Sequence, residues 1–143
     1  MDLEQWFLED SHDLSAFLTY KLPEPIRFKV AADSGAIQTL EGEMKYECGH
    51  IIITGPAGEQ YPVHPDTFIE KYNVNQSRNE ATPKKIEKLA KMADHDGVLH
   101  LACGVLEYKA NRDYIVRHAP GEYGPVRADI FEITYHIPQN KKL

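Results

Sequence analysis

The chain is short of the residues that build fixed chemical sites. It has two cysteines in 143 residues, Cys48 and Cys103, with no C-x-x-C spacing, so neither a zinc knuckle nor a disulfide framework is indicated and both read as buried free thiols. No apolar run approaches the ~18 to 20 residues that span a bilayer. The first residues, Met1-Asp2-Leu3-Glu4, are acidic where a secretory leader needs basic ones. The expectation is a soluble, cytoplasmic protein with no membrane partner. No G-x-S-x-G, P-loop or G-x-G-x-x-G motif occurs, and the seven histidines include no H-x-x-x-H pair. No catalytic nucleophile, metal site or cofactor is therefore expected, and Asp94-His95-Asp96 reads as a turn with a capping role.

What the chain does have is an ordinary globular composition, 42% hydrophobic and 27% charged, with a formal charge of −6. The charge is uneven. Residues 1–72 hold 13 acidic and 5 basic side chains (−8), and residues 73–143 hold 9 and 11 (+2). The basic residues of the second half form no dense run with interleaved aromatics, so nucleic acid is not an expected partner; weak binding there would fall steeply with salt.

Along the chain, Leu3, Trp6 and Phe7, then Leu14, Phe17 and Leu18, have the spacing of an amphipathic helix over ~3–20, with Asp10 and Ser11 as internal caps and Pro23 and Pro25 as the stop. Short strands follow at 26–30, 36–40, 43–47 and 50–54, with turns at Glu41-Gly42 and at Gly55-Pro56-Ala57-Gly58. Residues 73–82 are polar and linker-like. Thr82-Pro83 has the form of a helix start, predicting a helix over ~83–93 with Ile86, Leu89 and Ala90 on its apolar stripe.

The strongest signal is internal repetition. Offsetting the chain by 63 residues aligns 49–72 with 112–135, and eight of 24 positions are identical: Ile52/Ile115, Gly58/Gly121, Glu59/Glu122, Pro62/Pro125, Val63/Val126, Asp66/Asp129, Phe68/Phe131 and Tyr72/Tyr135. Chance would give roughly one or two at usual residue frequencies. An offset of 62 extends the match upstream through Gly35/Gly97, Gly42/Gly104 and Tyr46/Tyr108, which implies one extra residue in the second copy near Ala110. Phe68 and Tyr72, four apart, share a face on one helical turn, as do Phe131 and Tyr135, and Asp66 and Asp129 are placed to cap it.

The run Asp113 to Tyr135, with Pro120-Gly121-Glu122-Tyr123-Gly124 at its centre, resembles the bacterial and phage PGDYG domain family, with Glu122 where the family name has Asp. Ile51 to Val63, followed by Pro65-Asp66-Thr67-Phe68 and Tyr72, looks like a related copy. The resemblance implies a small β-rich domain and supplies no mechanism.

These readings give an α+β fold: two related units of short antiparallel strands, SH3-like or small-barrel-like, with an N-terminal helix and a helix between the units. The division is 1–25 helical segment, 26–72 first unit, 73–82 linker, and 83–143 helix plus second unit, packed as one pseudo-dimer. The second copy is expected to carry a helix where the first has the strand at 26–30. The expected recognition surface is the segment after each glycine turn: Tyr61, His64 and Asp66 in the first copy, and His118, Tyr123, Arg127 and Asp129 in the second. His64 and Arg127 share one repeat position, and both can donate to an anion. The expected function is a non-catalytic binding module for a small anionic ligand or a protein partner. The alternative is a small enzyme with His64 or His118 as acid/base and Asp66 or Asp129 as its orienting carboxylate.

Overall fold

A computed structural model describes residues 2–9, 15–101 and 104–139. The elements are α1 (Leu3–Leu8), β1 (Phe17–Thr19), β2 (Ile26–Val30), β3 (Gly35–Gln38), β4 (Glu43–Tyr46), β5 (Ile51–Thr54), β6 (Gln60–Val63), α2 (Pro65–Lys71), β7 (Tyr72–Asn75), a 3-10 turn (Gln76–Arg78), β8 (Glu80–Pro83), β9 (Lys88–Met92), β10 (Gly97–Leu101), β11 (Gly104–Tyr108), β12 (Asp113–Ala119), β13 (Glu122–Arg127) and α3 (Ala128–Thr134). The protein is mostly β, with three antiparallel sheets ordered β1-β9-β12-β13, β10-β11-β4-β3 and β6-β5-β2-β8-β7. No closed barrel is formed among the described residues, and no described helix is long and apolar enough to cross a membrane.

The chain divides into two compact units, one of 1–20, 87–99 and 107–143, the other of 21–86 and 100–106. We call them the α3 unit and the α2 unit after the helix each contains. In the α2 unit, one face of the sheet packs Ile51, Ile53, Phe68, Tyr72 and Ala81 beneath α2. In the α3 unit the matching face packs Phe17, Ala90, Val116, Phe131 and Tyr135 beneath α3. The repeat is thus a repeat of structure. Gly58 and Gly121 have φ of 82° and 79°, the left-handed region that glycine enters without a Cβ penalty. Both helices begin one residue after the repeat position of His64 and Arg127, and both end with the tyrosine N–H donating to the phenylalanine carbonyl, Tyr72 to Phe68 and Tyr135 to Phe131.

Hydrogen bonds locate the extra residue of the second copy. Ala31 donates to His50 and accepts from Gly49, and Ala93 donates to Asp113 and accepts from Asn111. Gly49 therefore matches Asn111 and His50 matches Asp113, so the insertion is Arg112. Its guanidinium reaches Asp113 at 2.6 Å, a carboxylate with no solvent exposure.

The expected helix over ~83–93 is absent: Pro83 ends β8, and 88–92 is the strand β9. The helical period there is that of a central strand buried on both faces, where Ala90 is 0% and Lys91 1% exposed and alternation is not required. β9 is the counterpart of β2, so the two copies are equivalent where the sequence suggested they diverge. The polar stretch 73–82 is also no linker; it forms most of β7, the 3-10 turn and β8, paired Asn73 with Thr82 and Val74 with Ala81. The N-terminal helix stops at Leu8, and Phe17 and Thr19 point into the core of β1 while Leu18 points out. The expected caps Asp10 and Ser11 lie outside the described residues, as does Cys103. Cys48 is exposed, not buried, with Sγ on the Ala32 carbonyl at 3.2 Å.

The first strands of the two copies are exchanged. β1 precedes β2 in sequence but pairs with β9, Leu18 opposite Leu89 and Thr19 opposite Lys88. β8 precedes β9 but pairs with β2, Glu80 opposite Arg27 and Ala81 opposite Ile26. Under the offset of 62 these two registers are the same. Each sheet therefore contains a strand whose next strand in sequence belongs to the other sheet.

Candidate functional site

The residues after each glycine turn are held by local bonds. His64 is the N-cap of α2, its Nδ1 accepting from the Asp66 N–H at 3.1 Å, with the ring 59% exposed. Asp66 is thus in the first turn of the helix and is not its cap, a correction that applies equally to Asp129. Arg127 occupies the N-cap position of α3 and forks onto Asp129 through Nε (2.6 Å) and Nη2 (2.9 Å), which holds the Asp129 carboxyl below its usual range. The repeat position accordingly carries a cap in one unit and an ion pair in the other. Tyr61 faces the core of the α2 unit, and Lys21 Nζ donates to its hydroxyl at 3.2 Å and to that of Tyr72 at 2.8 Å. Burial pushes the Tyr61 phenol well above its usual value.

His118 is exposed beside Lys88, with Nζ to Nδ1 at 3.1 Å, and its ring lies over Gly124, where a Cβ would sit 3.1 Å from Nε2. A Cβ at Gly124, the second glycine of the Pro120–Gly124 motif, would press on that ring. Tyr123 packs on Phe7 with ring centroids 5.7 Å apart, its hydroxyl enclosed without a hydrogen-bond partner among the described residues. The motif hairpin is thus part of the seat of α1.

That seat joins Tyr123 to residues of α1 and β9 that were not among the expected site residues. The second face of the α3 unit's sheet packs Trp6 and Phe7 of α1 against Ile115, Leu89 and Tyr123, with Ala93, Leu99 and Tyr108 beside them. Charges fix the helix at both ends. Arg117 grips Glu4 in the first turn through Nε (2.9 Å) and Nη2 (2.8 Å), and with a further bond from the Gly121 N–H this lowers the Glu4 carboxyl from its usual range. Lys91, fully buried, donates to the carbonyls of Trp6 (2.6 Å) and Glu9 (3.1 Å), closing the helix C-terminus, where carbonyls lack partners and a cation is favoured. Its Nζ also lies 4.5 Å from the Trp6 ring centroid, a cation–π contact.

From Trp6 the polar chain continues. The indole Nε1 donates to Asp94 Oδ1 at 2.8 Å, the same oxygen meets His95 Nδ1 at 2.8 Å, and His95 Nε2 meets the Tyr108 hydroxyl at 2.8 Å. The His95 and Trp6 bonds hold the Asp94 carboxyl below its usual range, while desolvation raises the Tyr108 phenol. Asp94-His95-Asp96 does keep a turn role through Asp96, which accepts from the Ala110 N–H at 2.9 Å. Its larger part is the Asp94–His95–Tyr108 chain under the lone tryptophan. A signal for the seat was present in sequence, since Lys29 and Lys91 are identical under the offset of 62 and stand two residues before the identical Ala31 and Ala93.

No group of three or more potential metal ligands occurs among the described residues. The family model described as PGDYG protein matches residues 42–136, one span that runs through both glycine turns and through α2 and α3. No curated protein matches the chain, and no solved structure does.

Proposed function

The chain belongs to the PGDYG protein family, and we propose that on this scaffold it is a non-catalytic binding module whose partner is a polypeptide. One observation carries the reading: a sheet face of the α3 unit holds a six-residue helix by an arginine on its first turn, a lysine on its last carbonyls and an apolar bed between them. The scaffold is built to seat a short helix. Helix-in-groove recognition uses the same elements between chains.

A small anion at the repeat position has less support. Arg127 is forked onto a carboxylate, and the His64 Nδ1 lone pair is used on a backbone N–H. The enzyme alternative finds its best geometry at His95, with a carboxylate and a phenol at 2.8 Å, but Tyr108 is 4% exposed and the chain of bonds ends under Trp6, as a structural network would.

An array of acidic, basic and neutral amphipathic peptides probed with the full chain tests the proposal. Saturable binding to one class, absent for scrambled sequences, is the expected result. No saturable binding to any class would overturn it. So would thermal stabilisation by inorganic phosphate or nucleotides that disappears in His64→Ala or Arg127→Ala.

A further inference from the structure

The face that seats α1 in the α3 unit has a counterpart in the α2 unit, and the two carry different loads. Residues paired across strands share a face, so the registers Glu80–Arg27–Thr54–Gln60 and Lys29–Ile52–Pro62 lay out the counterpart. The core residues Ile26, Phe28, Ile51, Ile53, Tyr61 and Val63 belong to the other face, beneath α2. On the counterpart face Ile52 is buried, as Ile115 is in the α3 unit, while Arg27 and Lys29 are exposed. Lys29 stands opposite Ile52 as Lys91 stands opposite Ile115. The lysine that closes the C-terminus of α1 is therefore present a second time, in register and facing solvent. Arg27 lies in the row that corresponds to Arg117, one strand over, since Arg27 pairs with Thr54 as Leu89 pairs with Arg117. Glu80 is opposite Arg27, and among the described residues no ion pair joins them.

We propose that this face of the α2 unit, through Arg27 and Lys29, docks a short helix of a partner protein that bears a carboxylate in its first turn and an aromatic residue near its last. The inference rests on the binding-module reading and gives it a place and a chemistry. The carboxylate follows from the Glu4–Arg117 fork, and the aromatic ring from the Trp6–Lys91 contact. An exposed guanidinium and ammonium on one sheet face complement such a helix. The bed is less apolar than the seat of α1, because Arg27 and Gln60 replace Leu89 and Tyr123, so recognition leans on charge and weakens with salt.

The probe is a synthetic peptide of residues 1–9, Met-Asp-Leu-Glu-Gln-Trp-Phe-Leu-Glu, titrated into the isotope-labelled full chain. Amide shifts are expected in β2, β5, β6 and β8, with affinity falling at least tenfold in the double variant Arg27→Glu, Lys29→Glu and for a probe carrying Glu4→Lys. Both substituted side chains are exposed, and far-UV circular dichroism checks that the variant keeps its fold. Shifts confined to β9, β12 and β13 would mean exchange with the chain's own α1 and would overturn the proposal, as would unchanged affinity in the double variant. Self-association of the chain that the double variant abolishes would also overturn it, making a second copy the occupant. If array binding persists in the double variant, the module reading stands and this face is the wrong one.

Discussion

The Tyr108 hydroxyl sits over Gly97, in space that any other residue would fill with its Cβ, and one copy earlier the Tyr46 hydroxyl sits over Gly35 in the same way, 2.6 Å from where a Cβ would be. The two pairs are one device used twice. Tyr46 is directly opposite Gly35 across β3 and β4. Its ring is half-buried, whereas Tyr108 is 4% exposed and also bonded to His95.

Alanine at either glycine must displace a tyrosine, and the cost follows how firmly that tyrosine is held. Gly97→Ala is expected to lose about 1–3 kcal/mol, the range for overpacking a well-filled site. Gly35→Ala is expected to lose less. Urea denaturation of the two variants gives the comparison, and equal losses would mean that the His95 bond does not constrain the ring.

Lys91→Met keeps the aliphatic stem and removes the ammonium from the carbonyls of Trp6 and Glu9. Leaving those carbonyls without a donor is expected to cost about 1–3 kcal/mol. Trp6 is the lone tryptophan and is 4% exposed, so its fluorescence reports the seat directly. The expected signature is a red-shifted emission at neutral pH with the far-UV spectrum retained.

Acid should act on the same helix. The carboxyls of Asp94 and Glu4 are lowered in the folded protein, chiefly by His95 and Arg117 respectively. Unfolded carboxylates titrate near pH 4, so the folded state binds fewer protons in that region. Their stabilising contribution is complete above about pH 4 and is lost as pH falls through the lowered folded values. Trp6 emission is expected to hold steady from pH 7 to 5 and to shift below about pH 4. A transition centred near pH 6 would instead assign control of the helix to a histidine.

Phe17→Ala tests the strand exchange. Phe17 lies in the core beneath α3, with its ring 6.1 Å from Phe131, and truncation there is expected to cost about 3–5 kcal/mol. Although Phe17 precedes β2 by only a few residues, hydrogen exchange should accelerate in β9 and β12 and not in β2 and β5. Acceleration in β2 and β5 would contradict the pairing.

The repeat, its glycine turns and the Phe/Tyr helices were legible in sequence because each rests on a local rule: a positive φ at the turn and a four-residue spacing on the helix. The 83–93 segment was not, because its apolar period is set by two covering helices. Leu89 meets α1 and Ala90 meets Phe131, and no single-face pattern survives that. The seat of α1 was hidden for a related reason. Glu4 and Arg117 are 113 residues apart, and Trp6 and Asp94 are 88 apart, so nothing local links them. The site residues read from the repeat were visible as identities, and much of that identity is explained by turns, cores and first-turn carboxylates.

The exchanged first strands bear on how such a molecule arises and persists. A polypeptide holding only one copy would keep a first strand but not the sheet that strand pairs with here, and restoring the pairing would take a second molecule, so the exchanged arrangement would depend on concentration. With both copies on one chain that sheet is supplied in cis, at an effective concentration fixed by the connecting residues and indifferent to dilution. Covalent fusion also frees the copies from identity, so that one sheet face can keep its own helix while the other is left to meet a foreign one.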